Sequence, residues 1–130
     1  MTATVLLIDD EPDAGELFRQ NFRRQIRNGE FELVFVQSGE EALDYLGEDE
    51  TPNAALVLSD IRMPGISGID ILENVKPRWP KMPIFMVSAT AGQDIENTVR
   101  DLGADGFYTK PIDFKTLGQK MSSLLSGAAA

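Results

Sequence analysis

The sequence contains no cysteine, no histidine and a single tryptophan, and its 12 Lys and Arg are outnumbered by 21 Asp and Glu, a formal net charge of −9. Without cysteine there is no disulfide framework, zinc ribbon or thiol nucleophile. Without histidine there is no Ser-His-Asp triad, no common zinc hydrolase site and no imidazole proton shuttle. The shortage of basic residues argues against direct nucleic-acid binding, because phosphate contacts need clustered Lys and Arg. No apolar run reaches the length of a membrane span, and the opening Met1-Thr2-Ala3-Thr4-Val5-Leu6-Leu7-Ile8 has no basic leader. The expectation is a cytoplasmic protein with no membrane partner. Carboxylate chemistry remains, on a 130-residue chain long enough for one domain with a sizeable core.

Short apolar runs alternate with segments of helical period. Strands are expected at Thr4–Ile8, Phe31–Val36, Ala54–Leu58, Pro83–Val87 and Gly106–Thr109, from β-branched and aromatic content. The first helix carries Leu17, Phe18, Phe22 and Ile26 on one face and stops at Asn28-Gly29. Ser38 and Glu41 form a capping-box pattern before Ala42, Leu43 and Leu46. A third helix carries Ile69, Leu72 and Val75, and a fourth carries Ile95, Val99 and Leu102 and closes at Gly103. Asp113 can cap a fifth, with Phe114, Leu117, Met121 and Leu124/Leu125 on one face. Five strands alternating with five helices predict an α/β domain with a parallel sheet covered on both sides. Residues 1–126 are assigned to this domain, and Gly127-Ala128-Ala129-Ala130 to a tail or the start of a linker.

In open parallel sheets, ligands bind outside the carboxyl ends of the strands. At those ends stand Asp9 and Asp10, Asp60, Ser88 and Lys110. Three carboxylates on one small rim repel one another unless a cation sits among them. A hard divalent ion such as Mg²⁺ (or Mn²⁺) accepts oxygen ligands, and Lys110 adds a second positive charge. Such a rim suits an incoming phosphoryl group, whose transfer depends on positioning and neutralised oxygen charge. A carboxylate can itself be the nucleophile and form an aspartyl-phosphate, with the Ser88 hydroxyl donating to a phosphoryl oxygen.

Taken with Asp60-Ile61-Arg62-Met63-Pro64-Gly65, Gly68, Ser88-Ala89 and Gly103-Ala104-Asp105-Gly106-Phe107-Tyr108-Thr109-Lys110-Pro111, these residues resemble the receiver domain of bacterial two-component response regulators, the chemotaxis-regulator-like family, over about residues 4 to 125. The resemblance implies a flavodoxin-like (βα)5 three-layer sandwich with a parallel five-stranded sheet of order 2-1-3-4-5. It implies Asp60 as phosphoacceptor, taking phosphate in a phosphorelay from a histidine kinase or histidine phosphotransfer protein. Asp9 and Asp10 would bind Mg²⁺, directly or through water, together with Asp60 and the backbone carbonyl of Arg62. Ser88 would bond the phosphoryl oxygen, Lys110 would pair with the phosphate, and Phe107 would be the switch aromatic that turns inward as Ser88 moves. Lys110-Pro111 would be a cis peptide. The signalling face would comprise the fourth helix, fifth strand and fifth helix. It would act on a downstream effector or a C-terminal output domain, and a phosphorylation-dependent homodimer stays open. On this reading the chain is a phospho-switch supporting its own phosphorylation and dephosphorylation, not a turnover enzyme.

Each residue also has a plainer reading. Acids at Asp9 to Asp13 complement a helix N-terminus, Ser88 can be a cap, Lys110 a surface charge, and Phe107 and Tyr108 core aromatics. Arg19, Arg23, Arg24 and Arg27 read as a solvated face. Competing functions are a haloacid-dehalogenase-like phosphohydrolase, a receiver-like module that no longer takes phosphate, and a flavodoxin-type cofactor binder. The first strand ends Asp-Asp-Glu rather than Asp-x-Asp, which disfavours the phosphohydrolase. Intact acids and Lys110 disfavour the silent module, and an acidic first loop disfavours a metal-free phosphate ligand.

Overall fold

β1 (Ala3–Ile8) buries its last four residues, because a central strand of a parallel sheet has helices on both sides. In the computed structural model, which describes residues 2–129 and the side chains of residues 2–125, the further elements are α1 (Ala14–Asn21), α2 (Arg23–Arg27), β2 (Phe31–Val36), α3 (Gly39–Leu46), β3 (Leu56–Asp60), α4 (Gly68–Val75), β4 (Ile84–Ser88), α5 (Gln93–Asp101), β5 (Gly106–Thr109) and α6 (Phe114–Ala129). All strand pairs are parallel, in the order β2-β1-β3-β4-β5. This is the expected flavodoxin-like order, and it sets β1 and β3 side at the centre of the sheet.

Alternation along the strands splits the core in two. Leu6, Ile8, Val57, Ile84 and Met86 face α3, α4 and α5, where Ala42, Leu46, Ile71, Leu72, Val75 and Val99 complete one buried layer. Val5, Leu7, Leu56, Leu58 and Phe85 face the opposite side, against Phe18 and Phe22 of the first helical segment and Leu117, Met121 and Leu125 of α6. Phe22 meets Phe31 and Phe114 edge-on at 5.8 and 5.6 Å.

The structure corrects three expectations. The single first helix is two, giving six helices among the described residues: the backbone leaves helical dihedrals at Phe22 (φ −110°, ψ 20°), where the ring is locked into the aromatic group just described. Leu17 is not on the buried face but 49% exposed; one residue before Phe18, it is rotated about 100° away from the stripe formed by Ala14 and Phe18. The third strand runs Leu56–Asp60 rather than Ala54–Leu58, because Asp60 still pairs with Val87. Ala55 instead donates its N–H to the Thr4 carbonyl at 2.8 Å, before the strand begins. Helical backbone continues to Ala129, and Ala130 of the expected tail lies outside the described residues.

Candidate functional site at the carboxyl edge of the sheet

The central pair of strands delivers two carboxylates side by side. Asp9 follows β1 directly, and its N–H still bonds to the Val36 carbonyl at 3.2 Å, so its backbone is held as rigidly as the strand. Its Oδ1 accepts the N–H of Glu11 at 3.0 Å, and its Oδ2 is turned to the Lys110 ammonium. Asp60 is the last residue of β3, and Ile61 donates to the Val87 carbonyl at 3.0 Å just beyond it. Asp9 and Asp60 are 3% and 8% exposed, whereas Asp10 is the most open of the three acids. One carboxylate oxygen from each of Asp9, Asp10 and Asp60 lies within 4.8 Å of the others.

Lys110 reaches this group from the far edge of the sheet. Its N–H donates to the Ser88 carbonyl at 2.9 Å, which aims the side chain inward across β4. Its Nζ stands 3.1 Å from Asp9 Oδ2 and 3.3 Å from Asp60 Oδ2, with Glu11 Oε1 at 3.9 Å. The Lys110–Pro111 peptide is cis.

Burial, and then the charge of Asp9 beside it, push the Asp60 carboxyl above its ordinary pKa against the opposing pull of Lys110. Burial also works against the Lys110 ammonium. The hydrogen bond and charge of Asp9, with those of Asp60, outweigh it and hold Lys110 above the usual lysine value. Three carboxylates with one ammonium thus remain short of positive charge. Their oxygen donors fit a hard divalent cation, with Asp10 open enough to bind through water.

Around this centre the remaining residues take definite positions. Ser88 ends β4 and is buried, but its hydroxyl is turned to its own loop: Oγ donates to the Thr90 carbonyl at 2.7 Å and accepts the Thr90 N–H at 3.1 Å. Arg62 is exposed in the loop after β3. Phe107 on β5 is half-buried opposite Met86, packed toward α5, while its neighbour Tyr108 faces the other layer at 5.6 Å from Phe85. Gly68 opens α4 hard against β3: a Cβ there would stand 2.2 Å from the Asp60 carbonyl oxygen. Ser67 and Asp70 close a reciprocal capping box that fixes this helix start.

Residues 5–122 match the family model of the response regulator receiver domain. The chain belongs to that family. This receiver domain is 30% identical to the polar-differentiation response regulator DivK of Brucella ovis over 98% of this chain and all of that protein. It is 26% identical to a cyclic di-GMP phosphodiesterase of Thermotoga maritima over 94% of this chain, but spans only 31% of that protein. Across five curated relatives of this longer kind the chain spans between 21% and 51% of their length. Among solved structures it superposes on a CheY-like receiver domain of Methanospirillum hungatei with a TM-score of 0.83, covering 98% and 96% of the two chains at 23% identity. Receiver domains belong to two-component signalling, in which they act as phospho-switches with histidine kinases and effector domains. No described helix is long and apolar enough to cross a membrane.

One feature beside the site was invisible in the sequence. Leu17, Pro111, Phe114 and Ala14 line an apolar depression of about 410 Å³, together with Asp9 and Lys110 of the site. Leu17 had read as core.

Proposed function

We propose that this receiver domain, within residues 1–126, is a phosphoacceptor switch that takes a phosphoryl group on Asp60 from a phosphohistidine of a histidine kinase or histidine phosphotransfer protein. The observation that carries the reading is the Lys110 ammonium held between Asp9 and Asp60 at 3.1 and 3.3 Å, with Asp10 completing a donor set for Mg²⁺ or Mn²⁺. In the transfer, an Asp60 carboxylate oxygen attacks phosphorus and the phosphorus–nitrogen bond to the donor imidazole breaks. The electron pair returns to that ring, which must come from another protein or segment because this chain has no histidine. A divalent cation held by Asp9, Asp10, Asp60 and the Arg62 carbonyl supplies neutralisation of phosphoryl oxygen charge.

The chain's own residues do the rest. Lys110 exchanges its Asp60 contact for the phosphoryl oxygens and stays tethered to Asp9. Ser88 gives up its two bonds to Thr90 to donate to a phosphoryl oxygen, which pulls the β4 loop toward Asp60. Phe107, adjacent to Met86 on the next strand, then turns into the space that this movement opens, and the α5–β5–α6 face changes shape. That face would bind an effector, an output domain or a second phosphorylated copy. Hydrolysis returns Asp60, with Arg62 and Thr90 controlling water access.

Incubation with acetyl phosphate and Mg²⁺, followed by intact-mass measurement, tests the reading. The expected result is one phosphoryl adduct, labile to acid, base and hydroxylamine, on the native protein and none on Asp60→Asn. No adduct, or equal labelling of the variant, refutes the assignment. Continuous hydrolysis of a generic phosphate ester would instead favour a phosphohydrolase.

A further inference from the structure

The loop between β3 and α4 contains the Arg62 carbonyl, and three separate fastenings hold it. Near its start, the Ile61 carbonyl accepts the Gly68 N–H at 2.9 Å, which draws the two ends of the loop together. In its middle, Met63 is buried in the core layer under α3 and α4. At its outer turn the fastening comes from a different element. Glu40, in the first turn of α3, accepts the Ile66 N–H on Oε1 at 3.2 Å across 26 residues of sequence. The same oxygen lies 3.1 Å from where a Cβ on Gly65 would stand, and Gly65 itself has φ +74°. Gly39 allows this approach: a Cβ there would meet the Ile66 Cβ at 2.6 Å and its carbonyl oxygen at 2.9 Å.

Glu40 is not needed by its own helix. The capping work at the start of α3 falls to Glu41, whose N–H donates to Ser38 Oγ at 3.1 Å and whose carboxylate accepts the Ser38 hydroxyl at 3.2 Å. Two adjacent acids thus have separate employments, one within the helix and one across to the loop. Glu40 is solvent-exposed, so its distant charge does little for a cation through water. What it offers the site is an acceptor that holds a backbone N–H still.

We infer that Glu40 is a positioning residue for the divalent-cation site, fixing the 62–66 loop and the Arg62 carbonyl before the ion binds. The inference rests on the reading of the site given above. A loop ordered in advance leaves less conformational entropy to be lost on binding, so affinity rises without any new ligand atom. The coupling is reciprocal: an ion on the Arg62 carbonyl must also tighten the Glu40–Ile66 contact. The first turn of α3 is therefore part of what responds when the site fills.

Calorimetric titration of the full chain with MgCl₂ tests this on the native protein, Glu40→Ala, Glu40→Gln and Glu41→Ala. Glu40→Ala should bind Mg²⁺ roughly three- to tenfold more weakly, the range of one net hydrogen bond expressed as affinity. Glu40→Gln keeps an acceptor oxygen and should stay within about twofold of native. Glu41→Ala weakens the helix cap and should lower the melting temperature while leaving Mg²⁺ affinity unchanged. Amide exchange adds a second readout: Mg²⁺ should slow exchange at Ile66 in the native protein and much less in Glu40→Ala. Equal affinity in Glu40→Ala and native protein overturns the inference. So does a loss in Glu41→Ala matching that in Glu40→Ala, or a Gln variant as weak as Ala. A native protein that binds no Mg²⁺ overturns the reading of the site as well, whereas a native protein that binds with no effect of Glu40 overturns this inference alone.

Discussion

Asp60 pays for its position beside Asp9. In an unfolded chain its carboxyl titrates near 3.8, and in the folded chain burial and the neighbouring acid raise it. Between those two values the folded form binds more protons than the unfolded one. Stability therefore falls as pH rises through that window, and ionised Asp60 opposes folding above it. Asp60→Asn should accordingly melt at a higher temperature than native protein at pH 7 in EDTA, with the difference shrinking as pH is lowered toward 3.8. Equal melting temperatures at pH 7 would contradict this. Lys110 has the opposite sign: its raised folded value gives stability that is fully present below 10.5 and lost as pH climbs through the folded value. These residues were legible in sequence because each ends an apolar run, and parallel strands gather their ends at one edge. The Ser88–Thr90 bonds and the Glu40–Ile66 contact were not legible, since serine serves equally as cap or ligand and no local pattern marks a contact between separate elements.

At the scale of elements, the junction of β3 with α4 is the tightest fit near the site. Gly68 lets the helix start against the Asp60 carbonyl, and a methyl placed 2.2 Å from that oxygen and 2.8 Å from the Ile61 Cα meets backbone that cannot swing aside as the Met86 Cε at 2.9 Å can. Gly68→Ala should cost about 3 kcal/mol, at the upper end of overpacking penalties, read as a lowered urea midpoint with unchanged slope. A loss below about 0.5 kcal/mol, the scale of an ordinary surface change, would show that the contact yields. Element types were readable throughout because strand and helix periods differ sharply along this chain. Boundaries were less so. β3 ends two residues later than its apolar run because pairing with β4 carries polar Ser59 and Asp60 into the sheet. The first helix breaks at Phe22 because rings from β2 and α6 converge there, a tertiary demand that periodicity does not express.

For the molecule as a whole, the surface divides by character rather than by charge alone. Leu17 is an exposed large apolar side chain, and it lines a cavity that Asp9 and Lys110 also line. On the function proposed above, a protein donor would bring its phosphohistidine to this edge of the sheet, and the apolar rim suits a docked partner better than a small phosphodonor. Leu17→Ser should therefore slow phosphorylation by a protein donor about tenfold, a loss of roughly 1.4 kcal/mol of contact, while the rate with acetyl phosphate stays at the native level. Equal slowing with both donors would place the defect in the site itself.

The sheet order has a consequence for when the site comes into being. Lys110 and Asp9 are joined across 101 residues, and Lys110 follows a strand of only 4 residues that adds to the sheet through β4 alone. In the order of synthesis, Asp9, Asp10, Asp60 and Ser88 all leave the ribosome before the ammonium that balances them. A nascent chain whose sheet stops at β4 presents the carboxylates without their internal counter-charge. On the function proposed above, competence for phosphoryl transfer would arrive with the last strand, so a phosphorylated chain would already have completed its sheet.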